Sequence, residues 1–237
     1  MRNRCWICTC YLFMCILLAI AAPLQTNTVL AERAATVQSG LLGTGTSWET
    51  AWFVVDSGHD GPVVLITGGV HGNEPAGARA AEQIRHWPVA RGKLIVVPQV
   101  NRLGLAANMR WAPDYRNDRE RRDINRSFPT AENDVALTEH TRAVWDFIVQ
   151  HQPDYVFDLH EGFDFHRLNP DSVGSSVIAF PSQLELARCI QQAVNAEVDS
   201  DKQFELLAKS GPVVGSLARA CHEQLHAASF ILETTFK

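Results

Sequence analysis

The sequence predicts an α/β domain, a three-layer α/β/α fold around a mixed, mostly parallel sheet. Unbroken apolar runs, "GPVVLITGG", "GKLIVVPQV" and "DYVFDLH", have the pattern of strands buried on both faces. Helix-patterned segments separate them, which implies βαβ units with helices covering both faces of the sheet. The 237 residues, 46% hydrophobic and 20% charged, suit one good-sized domain of ordinary globular composition. A net charge of −5 excludes the basic field that nucleic-acid binding needs.

The N-terminus stands apart. Arg2 and Arg4 precede an uncharged stretch from Cys5 to Leu24. A basic start, an apolar run and small residues after it predict a secretory signal over residues 1–31, with cleavage after Ala21 or Ala31. The alternative is a membrane anchor formed by residues 5–24, since about 20 apolar residues span a bilayer. An exported protein, periplasmic or extracellular, is therefore expected, with residues 32–47 as a leader and 48–237 as the folded domain. Four of the six cysteines lie in the signal. Cys189 and Cys221 remain, both on predicted helices, and both a disulfide and two buried free thiols stay open.

Each element follows from its pattern. "TAWFVVDSG" predicts a strand, then "GPVVLITGG" a buried one that ends in glycines. "EPAGARAAEQIRHW" predicts a helix with Pro75 in its first turn, and "GKLIVVPQV" another buried strand. Residues 101–130 are polar and weakly periodic, and a loop of that length in a compact domain points to function. Residues 130–152 predict a helix with Thr130 as N-cap. "DYVFDLH" and "SSVIAF" predict strands. "SQLELARCIQQAVNAEV" and "GPVVGSLARACHEQLH" predict helices, and "ASFILETTFK" a closing strand. Trp52, Trp87 and Trp145 are expected in the core. His86, His140, His151, His222 and His226 fall on predicted helices and are expected to be solvated.

In parallel sheets function gathers at the carboxyl ends of strands. His71 and Glu74 follow one such strand, where the glycines allow a sharp turn. Their three-residue spacing suits a ring nitrogen and a carboxylate on one metal ion. His160 ends another strand at the same sheet edge. Two histidines and a glutamate are the usual ligands of a catalytic zinc, with one position left for water. Such a site needs a base. Glu233, in "FILETT", sits on an otherwise apolar strand. Glu161 is the rival, but strand alternation points it away from His160. In "DINRSFP", Arg126 can grip a carboxylate with two parallel hydrogen bonds and Asn125 can add an amide donor. Asp123 and Asp158 can each take the second ring N–H of a ligand histidine. Asp164 and His166 are weaker candidates for lining the pocket.

The ordered motifs "HGNE", "DINRSFP", "DLHEG" and "ILET" resemble the zinc carboxypeptidase superfamily, in particular its succinylglutamate desuccinylase/aspartoacylase branch, over roughly residues 48–237. The resemblance implies one Zn²⁺ per chain on His71, Glu74 and His160. It implies Glu233 as the glutamate that activates water, Asn125 and Arg126 as the carboxylate grip, and Asp123 behind the first histidine. An arginine upstream of the Asn-Arg pair would stabilise the oxyanion. Arg110 is the best match, with Arg116 and Arg119 as rivals. The expected substrate is a small molecule or short peptide with a free carboxylate. The expected reaction is amide hydrolysis in an N-acyl amino acid, with the alternative of a carboxypeptidase trimming peptides or peptidoglycan stems. The chain ends four residues after Glu233, where that branch commonly continues into a small β domain covering the site. This implies a more open site or a longer natural product.

Overall fold

A computed structural model describes residues 35–235, so the expected signal or anchor lies outside the described residues. Among those residues no helix is long and apolar enough to cross a membrane. The strands are β1 (Thr36–Leu42), β2 (Thr50–Asp56), β3 (Val63–Gly68), β4 (Lys93–Val97), β5 (Tyr155–Gly162), β6 (Ser176–Ala179), β7 (Glu205–Leu207) and β8 (Ala228–Thr235). The helices are α1 (Pro75–Ile84), α2 (Arg102–Ala107), α3 (Glu139–His151), α4 (Leu184–Asn195) and α5 (Leu217–Leu225).

All eight strands join one sheet in the order β1-β2-β4-β3-β5-β8-β6-β7. The central four, β4, β3, β5 and β8, are parallel. Antiparallel pairings attach β2 and β6 at either side. Alternation divides the side chains between two cores. Leu65, Ile95 and Val156 pack with Val144 and Ile148 of α3 and with Leu217 of α5. Ile66, Val96, Phe157 and Phe230 pack with Ala81 and Ile84 of α1 and with Ile190 of α4. This is the predicted three-layer arrangement. Each fully buried Ile, Leu or Phe contributes roughly 1.5–3 kcal/mol.

One close approach positions the site. A Cβ added to Gly77 would stand 2.1 Å from the Leu159 carbonyl oxygen. Helix α1 therefore crosses β5 at a distance that only glycine allows, and its first turn lies against the end of β5.

The structure departs from the sequence-based expectations in several places. Residues 36–42, expected in the leader, form β1 and pair antiparallel with β2 along its whole length. The helix expected from Thr130 begins at Glu139. Thr138 caps it, in a reciprocal pair of hydrogen bonds with Thr141, and the Thr130 hydroxyl serves a local turn by accepting from Asn133 N. The three-residue β7 was not expected. Residues 211–216, expected in a helix, are a loop before α5, whose cap is Ser216. Both cysteines are free, Cys189 exposed and Cys221 buried. Helix position alone does not tell a buried face from an exposed one.

His140, expected in solvent, is 1% exposed. Its ring stacks on Trp48 with centroids 4.9 Å apart, and Nε2 lies 2.7 Å from the Val100 carbonyl oxygen. Burial pushes its pKa down to about 4, against the pull of the Val100 carbonyl and Asp114. The neutral ring is thus the folded form. Between the ordinary value of 6.5 and about 4 the unfolded chain binds a proton that the folded chain does not. Stability should fall as pH drops through that window, by up to roughly 3 kcal/mol from this group. Urea unfolding at pH 7 and pH 4.5 measures the loss. His140→Gln, which keeps a donor without titrating, should lose distinctly less; equal losses would contradict the assignment.

Candidate active site

The parallel strands deliver their carboxyl ends to one edge, and there the predicted residues meet. His71 and Glu74 follow β3, His160 lies near the end of β5, and Glu233 lies near the end of β8, directly opposite His160 in register. All four are at least 93% buried. They line a cavity of about 650 Å³ that Arg110, Asn125 and Arg126 also line.

The three predicted ligands converge. His71 Nδ1 lies 2.8 Å from one Glu74 oxygen, and His160 Nδ1 lies 2.8 Å from the other. One ligand atom from each of the three residues falls within 4.8 Å of the others. The far ring nitrogens are held from behind, His71 Nε2 at 3.1 Å from Asp123 and His160 Nε2 at 2.8 Å from Asp158. Thr67 in turn donates to Asp158 at 2.7 Å. Both expected carboxylate partners are therefore in place, and both Nδ1 atoms face the same point.

The electrostatics favour positive charge at that point. Burial works against a charged His160, but Asp158 and Glu74 outweigh it and raise its pKa well above an ordinary histidine's. Burial raises Glu74, yet His160 and His71 hold its carboxyl far below the usual range. Asp123 is likewise pushed up by burial and pulled down to about 2 by His71, Arg110 and Arg126. A metal cation could replace the protons between these groups. Two imidazole nitrogens and a carboxylate, each braced by a further carboxylate or N–H, form a donor set that fits a zinc-like ion.

Glu233 behaves differently. Burial raises its pKa to about 8; Glu74 and Asp158 add to this, while His160 and Arg110 oppose it. It can hold a proton near neutral pH. Glu161, the rival base, points to the α1 side, where its carboxylate accepts from Ala76 N at 3.1 Å.

Of the three arginines considered for the oxyanion, Arg110 alone lines this cavity; Arg116 and Arg119 border a separate depression. Arg110 donates to Glu74 at 3.0 Å and lies 3.5 Å from Asp123. Asn125 Oδ1 accepts from Leu217 N at the start of α5, which fixes the Asn125–Arg126 turn at the cavity wall. Asp164 and His166 do not line the cavity. Their loop closes on itself, with His166 Nδ1 at 2.6 Å from the Ser172 carbonyl oxygen, and presents Phe163, Asp171 and Val173 instead. Sequence reasoning missed Asn73, Ile178, Leu207, Lys209 and Val213, which also line it. Only Asn73, inside "HGNE", stood next to a recognisable signal.

Glu161 and Glu74 form a reciprocal latch. Glu74 accepts from Glu161 N at 3.3 Å, while Glu161 accepts from Ala76 N in the first turn of α1. The latch ties the "HGNE" turn to the end of β5. If this cluster holds a metal ion, Glu161→Ala should weaken its binding about 10–100-fold, the usual effect of losing a group that orients a ligand, and Glu161→Gln, which keeps an acceptor oxygen, should largely restore it. Competition with a chromophoric chelator measures both; equal affinity in all three proteins would remove the latch from the site.

Comparison with known proteins agrees with this geometry. The family model described as the succinylglutamate desuccinylase/aspartoacylase catalytic domain matches residues 60–199. That span holds His71, Glu74, Asp123, Asn125, Arg126 and His160; Glu233 lies beyond it. Over 106 residues the chain is 32% identical to the N-alpha-acetyl-L-2,4-diaminobutyric acid deacetylase of Halomonas elongata, a match covering 44% of this chain and 29% of that protein. It is thus similar to less than a third of that relative's length. Among solved structures, an aspartoacylase family protein from Mesorhizobium loti superposes with a TM-score of 0.60 at 21% identity, over 87% of this chain and 64% of that one. The cell shape determinant protein Csd4 from Helicobacter pylori gives 0.61 at 20% identity, over 86% of this chain and 50% of that one. A metallo-carboxypeptidase from Burkholderia cenocepacia gives 0.58 at 18% identity, over 87% and 57%. These structures share the fold, and the family match covers more than half of the sequence: the chain belongs to the succinylglutamate desuccinylase/aspartoacylase catalytic-domain family of hydrolases.

Proposed function

We propose that the protein is a zinc-dependent amidohydrolase that cleaves the amide of an N-acyl amino acid or a similar substrate bearing a free carboxylate. The observation that carries this is the convergence of His71 Nδ1, His160 Nδ1 and the Glu74 carboxylate beside a buried carboxyl, Glu233. His71, Glu74 and His160 would hold one Zn²⁺, which when bound supplies Lewis-acid polarisation of a carbonyl and acidifies water.

The protein's own groups account for the rest. Glu233 takes the proton of the attacking water and passes it to the leaving amine, a task that suits a carboxyl raised to about 8. Arg110 donates to the oxygen where negative charge develops. Asn125 and Arg126 hold the substrate carboxylate, fixing which amide meets Glu233. Asp123 and Asp158 keep the far ring nitrogens protonated and so direct both Nδ1 atoms inward. The printed name of the Halomonas elongata relative describes removal of an acetyl group from an amino acid's nitrogen, which supports the same class of bond here. We further propose export directed by residues 1–31; the N-terminal sequence of the mature protein tests that directly.

The purified protein should bind about one equivalent of zinc and release an acyl acid from N-acyl amino acids in a chelator-sensitive reaction, read by mass spectrometry. Release of C-terminal residues from peptides instead would point to the carboxypeptidase alternative. Glu233→Gln should keep zinc and lose about 10²–10⁴-fold in turnover, and wild-type-like turnover would remove Glu233 from the mechanism. His160→Ala should lose the metal; stoichiometric zinc in that variant would refute its place among the ligands.

A further inference from the structure

Three aliphatic side chains in the cavity belong to neither hydrophobic core. Ile231 on β8, Ile178 on β6 and Leu207 on β7 are successive cross-strand neighbours and all line the cavity. Strand alternation places Ile231 on the face of Glu233, about 6–7 Å back along β8. The row then runs away from the His160 side by roughly 5 Å per strand. Ile178 and Leu207 stay partly exposed, and Val213, in the loop before α5, lines the same cavity.

Asn125 and Arg126, the proposed carboxylate grip, line the same cavity as this row. Asn125 accepts from Leu217 N, and Phe128 N donates to the Gly215 carbonyl at 3.0 Å. The turn carrying Asn125 and Arg126 is thereby fixed to the same loop that carries Val213. A substrate held by its carboxylate at Arg126 therefore occupies the cavity that the row lines.

We propose that the Ile231–Ile178–Leu207 row is the side-chain subsite, and that the substrate residue bearing the free carboxylate carries a nonpolar, leucine-like side chain rather than an acidic one. This rests on the hydrolase function proposed above. An apolar side chain would remove aliphatic surface from water. An acidic side chain there would lose its hydration against three aliphatic groups with no hydrogen-bond donor in the row. Of the cations lining the cavity, Arg110 and Arg126 come from the segment between α2 and α3, and Lys209 is exposed.

The test compares N-acetyl-L-leucine with N-acetyl-L-aspartate on the zinc-loaded full chain. Leucine should win in kcat/KM by about tenfold or more, the order expected for burying a side chain of that size. Ile178→Arg, and separately Leu207→Arg on the edge strand, should reverse the order. Equal or better turnover of the aspartate compound would overturn the subsite while leaving amide hydrolysis standing, and loss of that preference in Lys209→Ala would assign it to Lys209. Calorimetric binding of both compounds to zinc-loaded Glu233→Gln reads the subsite without turnover. Tighter binding of the leucine compound supports it even if wild-type protein hydrolyses neither, an outcome that would sink the hydrolase function alone. Equal or tighter binding of the aspartate compound overturns the subsite.

Discussion

The Glu74 carboxylate is the point on which the site depends. His71 and His160 address it, one at each oxygen, and Arg110 and the Glu161 backbone N–H add two more hydrogen bonds. A buried carboxylate without such partners would be expensive. Here the partners more than offset burial and keep it ionised. The Asp158 and Glu74 carboxylates that favour a proton on His160 also favour a cation in its place, so stabilising the metal-free fold and preparing a metal site are one electrostatic arrangement.

The sheet sets that arrangement. Parallel β3, β5 and β8 end at one edge, and the register that pairs His160 with Glu233 places a candidate metal ligand beside the raised carboxyl without a long-range loop. Gly77 lets α1 lie against β5 so that Glu74 reaches His160. Behind the ligands, Asp158 and Asp123 are held by Thr67 and by the turn at Ile124–Arg126. Beyond Glu233 along β8, Ile231 begins an aliphatic row that Ile178 and Leu207 continue across the sheet.

The strand ends were legible because their residues carry chemistry and follow apolar runs. "VVLITGG" and "DYVFDLH" announce a buried parallel sheet, and the rule for such sheets says where to look. The aliphatic row in the cavity was not legible. Ile178 and Leu207 are ordinary strand residues, and only the pairing of β6 with β8 and β7 reveals that they face the cavity. His140 was misplaced because a helix of mixed polarity does not show which face meets Trp48. Thr130 looked like a cap because the hydroxyl that caps a helix also stabilises a tight turn. The strand over residues 36–42 was missed because most of its residues are exposed, so the apolar signal of a buried strand is absent.

The most direct test of the convergence at Glu74 is a crystal structure of the zinc-loaded protein with anomalous diffraction at the zinc edge. One ion bound by Nδ1 of His71, Nδ1 of His160 and the Glu74 carboxylate, with Asp123 and Asp158 still on the Nε2 atoms, is the predicted result. A zinc ion bound through either Nε2, or bound without Glu74, would contradict the account.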